Sequence, residues 1–184
     1  MTALPGMTTS WQPNFDWITE HLAVGGSFPP ERVDRLARDH HVQAVIDLRN
    51  EGVDDARMLR RHGIVLLHLP TEDMCGVDAE HLDTGVAFAL DRLDRGERVL
   101  VHCTHGIGRS AVLALCVMVA RGATPLAALA QMKDRRAIVS PSPGQFDCWT
   151  GWLERWRLAH DVPWTVPSFD AFKVIAYRHF MGPS

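Results

Sequence analysis

Residues 102–110 read His-Cys-Thr-His-Gly-Ile-Gly-Arg-Ser. A cysteine, a short loop with two glycines and an arginine are the groups needed to hold a phosphate against a sulfur nucleophile. Arg109 has a planar fork that grips two phosphate oxygens at once, which a lysine ammonium does not match. Gly106 and Gly108 let the backbone curl, so that amides of Thr104, His105, Gly106, Ile107, Gly108 and Arg109 converge on an anion. The same surroundings favour a thiolate at Cys103, because a helix N-terminus and a nearby cation lower a cysteine pKa from about 8.5 into roughly the 3.5–7.5 range. Ser110 would offer its hydroxyl to the sulfur when the cysteine departs. A bare C-x5-R spacing arises by chance, and most free cysteines are inert core residues. The full H-C-x-x-G-x-x-R-S, placed between a strand and a helix, is far more specific.

His102, Cys103 and His105 also invite a metal reading. Zinc takes four protein ligands, or three and a water, and no second cluster stands at ligand spacing. No metal and no other cofactor is therefore expected. His102 is expected to pack under the loop and bond its backbone, and His105 to line the pocket mouth.

The loop needs a strand before it and a helix after it, and the pattern supplies both. Residues 99–101 form a short apolar strand running into Cys103, and 110–121 are almost wholly apolar, a buried helix ending at Gly122. Upstream, 16–24 alternate weakly and end at two glycines, a first strand and turn. Pro29-Pro30 opens a helix over 30–40. Apolar strands follow at 42–48 and at 64–69, the second stopped by Pro70, with a loop and short helix over 50–61 between them. Residues 71–77 read as a loop and 78–95 as an amphipathic helix. Downstream, 125–136 and 145–160 are helices, the latter with Trp149, Trp152 and Trp156 on one face, better suited to core packing than to a partner surface. A last helix is predicted over 168–180. Strands and helices alternate and helices finish the chain. That pattern predicts an α/β fold with a central, mainly parallel sheet flanked by helices. The expected organisation is a flexible leader over 1–14, a catalytic domain over 15–160 and a C-terminal extension over 161–184.

Bulk properties narrow the function classes. The chain has 184 residues, 46% hydrophobic and 22% charged, and a formal net charge of −3. It has no basic excess that would point to nucleic acid or an anionic membrane. No run of about 18 apolar residues predicts a transmembrane segment, and the first residues lack the basic and apolar regions of a signal peptide. Cys75, Cys103, Cys116 and Cys148 are too scattered for a disulfide framework or a C-x-x-C redox pair. A reducing, cytoplasmic setting is expected.

The 102–110 pattern matches every fixed position of the H-C-x-x-G-x-x-R-[ST] signature, and the chain resembles the protein tyrosine phosphatase superfamily, in its small atypical dual-specificity branch. The resemblance runs from about Ile18 to Trp156. It includes Ile18-Thr-Glu-His-Leu-Ala-Val-Gly-Gly, Ala44-Val-Ile-Asp-Leu and Ile138-Val-Ser-Pro-Ser-Pro-Gly-Gln-Phe. It implies a cysteine-phosphatase fold and a cysteinyl-phosphate intermediate formed by Cys103, with Arg109 holding the phosphoryl oxygens. It also implies a general acid on a separate loop after a strand, for which Asp73 fits better than its neighbours Glu72 and Asp78. Asp73-Met-Cys-Gly-Val and Gly85-Val-Ala-Phe-Ala-Leu are similar to the phosphatidylglycerophosphate phosphatase subgroup. That subgroup carries basic residues in its cysteine loop, where this chain has Thr104, His105, Ile107 and Gly108.

The expected substrates are phosphotyrosine, with phosphoserine or phosphothreonine, on proteins. The alternatives are lipid or other small phosphoesters, such as phosphatidylglycerophosphate or phosphoinositides, and a phosphate-binding module without catalysis. The oligomeric state is left open by the sequence. Cys75, two residues after Asp73, suggests a reversible Cys75–Cys103 disulfide, against the plainer role of a small loop residue.

Overall fold

The computed structural model describes residues 11–182. The first ten residues, most of the expected leader, lie outside that range. Five strands form one sheet: β1 (Phe15–Trp17), β2 (Leu22–Gly25), β3 (Val42–Arg49), β4 (Val65–Thr71) and β5 (Arg98–His102). Their order is β1-β2-β5-β3-β4. β1 pairs with β2 antiparallel, and every other neighbouring pair is parallel. The helices are α1 (Val33–Arg38), α2 (Ala56–Arg61), α3 (Ala79–Asp94), α4 (Arg109–Ala120), α5 (Pro125–Arg135), α6 (Pro143–His160) and α7 (Phe169–Ala176).

Alternation along the strands sends side chains to two cores. Leu22 and Val24 of β2, Ala44, Ile46 and Leu48 of β3, and Val99 and Val101 of β5 face one side, under the larger helical layer. Ala23, Val45 and Leu100 face the other, against Val33 and Leu36 of α1 and Leu59 of α2. α4 is buried on all sides from Arg109 to Val119, as a helix without a polar face must be. It packs on the sheet and on α3, α5 and α6. Because β2, β3, β4 and β5 are parallel, their C-terminal ends share one edge of the sheet, where ligands of open α/β folds bind.

Several boundaries differ from the sequence expectation for local reasons. The 16–24 segment is two strands, because Thr19 turns the chain: its hydroxyl accepts from the amides of His21 and Leu22, and Ile18 N–H donates to Leu22 O. The 30–40 helix is a 3-10 turn (Pro30–Arg32) followed by α1. β4 does not stop at Pro70 but runs to Thr71. It is an edge strand, and Pro70 falls where its pairing with β3 shifts register, between Asp47↔His68 and Arg49↔Thr71, one of the places where a strand tolerates proline. The 168–180 helix ends at Ala176, with a 3-10 turn over Arg178–Phe180. No helix among the described residues is long and apolar enough to cross a membrane.

The Trp-bearing face of α6 is turned inward. Trp149 is fully buried and Trp152 nearly so, and the Trp149 ring lies 6.0 Å from that of Phe172 on α7. Trp149→Ala is therefore expected to lower the unfolding free energy by about 3–5 kcal/mol, read from the urea midpoint at unchanged slope.

Candidate active site

β5 ends at His102 and α4 begins at Arg109, so residues 103–108 form a loop at the C-terminal edge of the sheet. Gly106 has φ = +68°, and a β-carbon there would lie 2.4 Å from the Gly25 carbonyl carbon and 2.6 Å from Arg136. Only glycine fits.

The carbonyls of this loop are held from outside. Thr104 O accepts from Ser27 N–H at 3.0 Å. His105 O and Gly106 O accept from Arg136, at 3.0 and 2.8 Å. Ile107 O accepts from Ser140 N–H at 3.0 Å. In a planar trans peptide the N–H points opposite to the C=O. Four outward carbonyls therefore turn the amides of His105, Gly106, Ile107 and Gly108 towards the inner side. One of them, Gly106 N–H, lies 3.3 Å from the Cys103 sulfur. Arg136 is itself almost fully buried and fixed by Asp16 and Asn14 at 2.8 Å each.

Cys103 is buried, with its Sγ 3.3 Å from Ser110 Oγ. Burial pushes its thiol pKa up. Hydrogen bonds from the Ser110 hydroxyl and amide and from Gly106, with the charge of Arg109, outweigh that and hold it below the ordinary thiol value.

Arg109 lies in the first turn of α4 and is 1% exposed. Its Nη1 donates to Thr71 O and to Glu51 Oε2, both at 2.8 Å, and its Nη2 donates to Glu51 Oε1 at 2.7 Å. Asp73 Oδ1 is 3.3 Å from the same Nη2. Arg109 Nε is buried and has no partner. Glu51 also accepts from the Thr104 hydroxyl. The bonds from Arg109 first, then that from Thr104, hold its carboxyl well below the usual carboxylate range.

His102 is fully buried beneath the loop. Its Nδ1 lies 3.1 Å from Cys103 O and its Nε2 2.7 Å from Asp54 Oδ2. Both partners are acceptors, so a ring protonated on both nitrogens satisfies them. Burial opposes that charge, but Asp54, through its hydrogen bond and charge, and Asp47 outweigh it and raise the His102 pKa. Asp47, Asp54 and His102 come close enough to be metal ligands. The positive charge between the two carboxylates is the Arg49 guanidinium, 2.8 Å from Asp47 and 2.6 Å from Asp54.

A small cavity of about 80 Å³ opens over the sulfur, lined by Asp73, Met74, Cys103, His105, Ile107, Gly108, Ser140 and Gln145. A shallower cleft of about 470 Å³, lined by Asn50, Glu51, Glu72, Asp73 and Thr104, lies beside Asp73. Asp73 is thus common to both, and its carboxylate is exposed. Glu72 lines only the outer cleft, and Asp78 is the N-cap of α3. The Cys75 thiol faces Glu72 at 3.9 Å and does not line the cavity over Cys103.

The structure thus brings together Cys103, Ser110, Arg109, Asp73 and the loop amides, with His102 beneath and His105 at the rim. Sequence reasoning missed Glu51, Asp54, Arg136 and Gln145. A charged run at the end of an apolar strand, Asp47-Leu-Arg-Asn-Glu-Gly-Val-Asp54, was the available signal for the first two. Ser142-x-x-Gln145 is a capping box that opens α6. The Gln145 side chain closes on Gly108, where a β-carbon would lie 2.2 Å from its Oε1.

Comparison with known proteins agrees with this geometry. The model of the dual specificity phosphatase catalytic domain matches residues 29–152. The chain is 30% identical over 142 residues to human phosphatidylglycerophosphatase and protein-tyrosine phosphatase 1, covering 72% of this chain and 71% of the relative. The mouse protein of that name is 29% identical over the same length, covering 72% of this chain and 74% of the relative. Among solved structures, Tk-PTP in its active form superposes with a TM-score of 0.71 at 25% identity, covering 79% of this chain and 99% of that one. PTPMT1 in complex with PI(5)P superposes at 0.73 and 22% identity, covering 79% and 97%, a likeness of fold. The five-stranded sheet, the sulfur-bearing loop at its edge and the family match lead to one conclusion: this chain belongs to the dual specificity phosphatases.

Proposed function

We propose that the chain hydrolyses phosphomonoesters through a cysteinyl-phosphate intermediate, acting on phosphotyrosine, and on phosphoserine or phosphothreonine, of proteins. The observation that carries this reading is the cradle over Cys103: a thiol bonded by the Gly106 amide and the Ser110 hydroxyl and amide, and held below its ordinary pKa by those bonds and the charge of Arg109. In the first step the Cys103 thiolate attacks phosphorus, an S–P bond forms and the ester P–O bond breaks. The leaving oxygen takes a proton from Asp73. The amides from about Thr104 to Arg109, with the Arg109 guanidinium, hold the equatorial oxygens as charge redistributes. In the second step Asp73 takes a proton from water, the water oxygen attacks phosphorus, and the S–P bond breaks. Ser110 donates to the departing sulfur. Such a thiolate is suited to a reducing compartment, and the cytoplasm is the setting this reading takes.

The mouth supports an uncharged or aromatic group beside the phosphate. Met74 and Ile107 present exposed apolar surface on one side. Glu51, Glu72 and Asp73 line the other, which is unfavourable for a substrate with further phosphates. A second reading, a lipid or small phosphoester, is favoured by one finding. The human relative is named for both a phosphatidylglycerophosphatase and a protein-tyrosine phosphatase. A panel of phosphopeptides, phosphatidylglycerophosphate and phosphoinositides, scored by kcat/KM, separates the two.

Three outcomes test the mechanism. Cys103→Ser is expected to abolish turnover across that panel while still binding vanadate; retained turnover would remove the nucleophile assignment. Asp73→Asn is expected to slow hydrolysis of alkyl phosphates by roughly 100-fold or more and to spare esters with acidic leaving groups. The opposite pattern, with Asp78→Asn giving the loss, would move the acid. Ser110→Ala removes a donor that favours the Cys103 thiolate, so its thiol pKa rises. The pH midpoint for inactivation by iodoacetate should then shift upward, and an unchanged midpoint would sink the Ser110 role.

A further inference from the structure

Pro141 lies between two serines that each hold a different side of the cavity over Cys103. Ser140 N–H donates to Ile107 O at 3.0 Å, and so fixes the peptide whose N–H belongs to Gly108. Ser142 Oγ donates to Met74 O at 3.0 Å, one residue beyond Asp73. Met74 holds a left-handed backbone, φ = +63°, which a residue other than glycine keeps only when its surroundings impose it. A displacement of the 140–142 segment therefore moves both the loop around the sulfur and the loop carrying Asp73.

The Pro141 carbonyl is itself anchored, by the Tyr177 hydroxyl at 2.6 Å. Tyr177 is the only tyrosine of the chain. It follows α7, in the part of the chain beyond residues 29–152 that the family model matches. Its ring stands against Phe172 and Phe169, with centroids 5.8 and 6.4 Å away, and Phe172 is fully buried in the main core. The hydroxyl is thus delivered by a helix that is locked in place. Neighbouring contacts tie the same two segments together. Lys133 Nζ donates to Ala137 O, to Val139 O at 2.6 Å and to His179 Nδ1 at 2.8 Å, and Arg178 pairs with Asp134.

We propose that Tyr177 is a positioning residue for this phosphatase: through Pro141 and Ser142, its hydroxyl sets the wall that holds the Asp73 loop in register with Cys103. The inference rests on the Cys103 and Asp73 assignments above. Catalysis by placed groups is steep in distance, so a small drift of the acid is felt in the rate. The C-terminal extension would then be a working part of the site, although none of it lines the cavity.

Tyr177→Phe keeps the ring packing and deletes only the hydroxyl. With a series of aryl phosphates, kcat/KM, which reads the step in which the leaving group departs, is expected to fall roughly three- to tenfold for the least acidic leaving groups, the size of one lost hydrogen bond. The loss should shrink as the leaving group needs less protonation. Phe180→Ala, in the same segment but exposed, should leave that dependence unchanged. The proposal is overturned if Tyr177→Phe shows the wild-type leaving-group dependence. It is also overturned if all leaving groups slow equally, or if Phe180→Ala produces the same change. Cys103→Ser on the same series reports separately on the underlying reading: turnover by that variant would refute the nucleophile, whatever Tyr177→Phe does.

Discussion

The outward pull on four loop carbonyls is the constraint on which the site depends. A loop this short has as many acceptors as donors, and left to itself it would present both to an incoming anion. Ser27, Arg136 and Ser140 take the carbonyls of residues 104–107 from behind. The amides are thereby committed to the inner face, and the α4 N-terminus adds donors of its own, the Ser110 amide on the sulfur among them. The sheet, the buried helix α4 and the 137–142 segment serve to hold those three outside partners still. Gly106 is the one position where the required φ and the closeness of Gly25 and Arg136 exclude any side chain.

Placing so much positive potential in a buried loop has a cost, and an acidic second layer offsets it. Glu51 takes the outer edge of the Arg109 fork, and Thr71 O accepts a further hydrogen bond from it. This leaves Nε as the buried donor without a partner. Beneath the loop, Asp54 and Asp47 support His102, while Arg49 keeps those two carboxylates compensated. Buried charges persist only when paired and hydrogen-bonded in this way. The result is a graded field, positive at the sulfur and negative at the outer cleft. It is consistent with a substrate that brings one phosphate and little other negative charge.

The wall opposite the sheet comes from the other end of the chain. The capping box of α6 fixes Ser142 and Gln145, so the helix start also shapes the cavity. α7 closes on Phe146 and Trp149 and brings Tyr177 to Pro141. The packing of a terminal helix and the geometry of a catalytic pocket are thus linked through one proline carbonyl.

Much of this was legible in the residues. The strand–loop–helix order around Cys103, the buried character of α4 and the inward tryptophans of α6 follow from local periodicity, which depends only on near neighbours in the chain. Asp73 came instead from the family resemblance, which implies an acid on a loop after a strand, and the structure sets its side chain on both the cavity over Cys103 and the outer cleft. The errors have two sources: a local threonine turn divided β1 from β2, and β4 passed through Pro70 because it proved to be an edge strand. Edge position is a property of the assembled sheet, so it could not be read from the strand itself. The run of charges after β3 marked Glu51 and Asp54 as charged residues but not their partners, and Arg136 and Tyr177 were illegible for a related reason. Each is an ordinary polar residue in its own segment, and its partner lies far away in sequence, so no spacing rule marks the pair. The sequence by itself determined the phosphatase family, because the cysteine, the glycines and the arginine of the 102–110 signature are contiguous. Only the tertiary structure decided how that loop is aimed, because the groups that turn its carbonyls outward and steady Arg109 arrive from distant strands and helices.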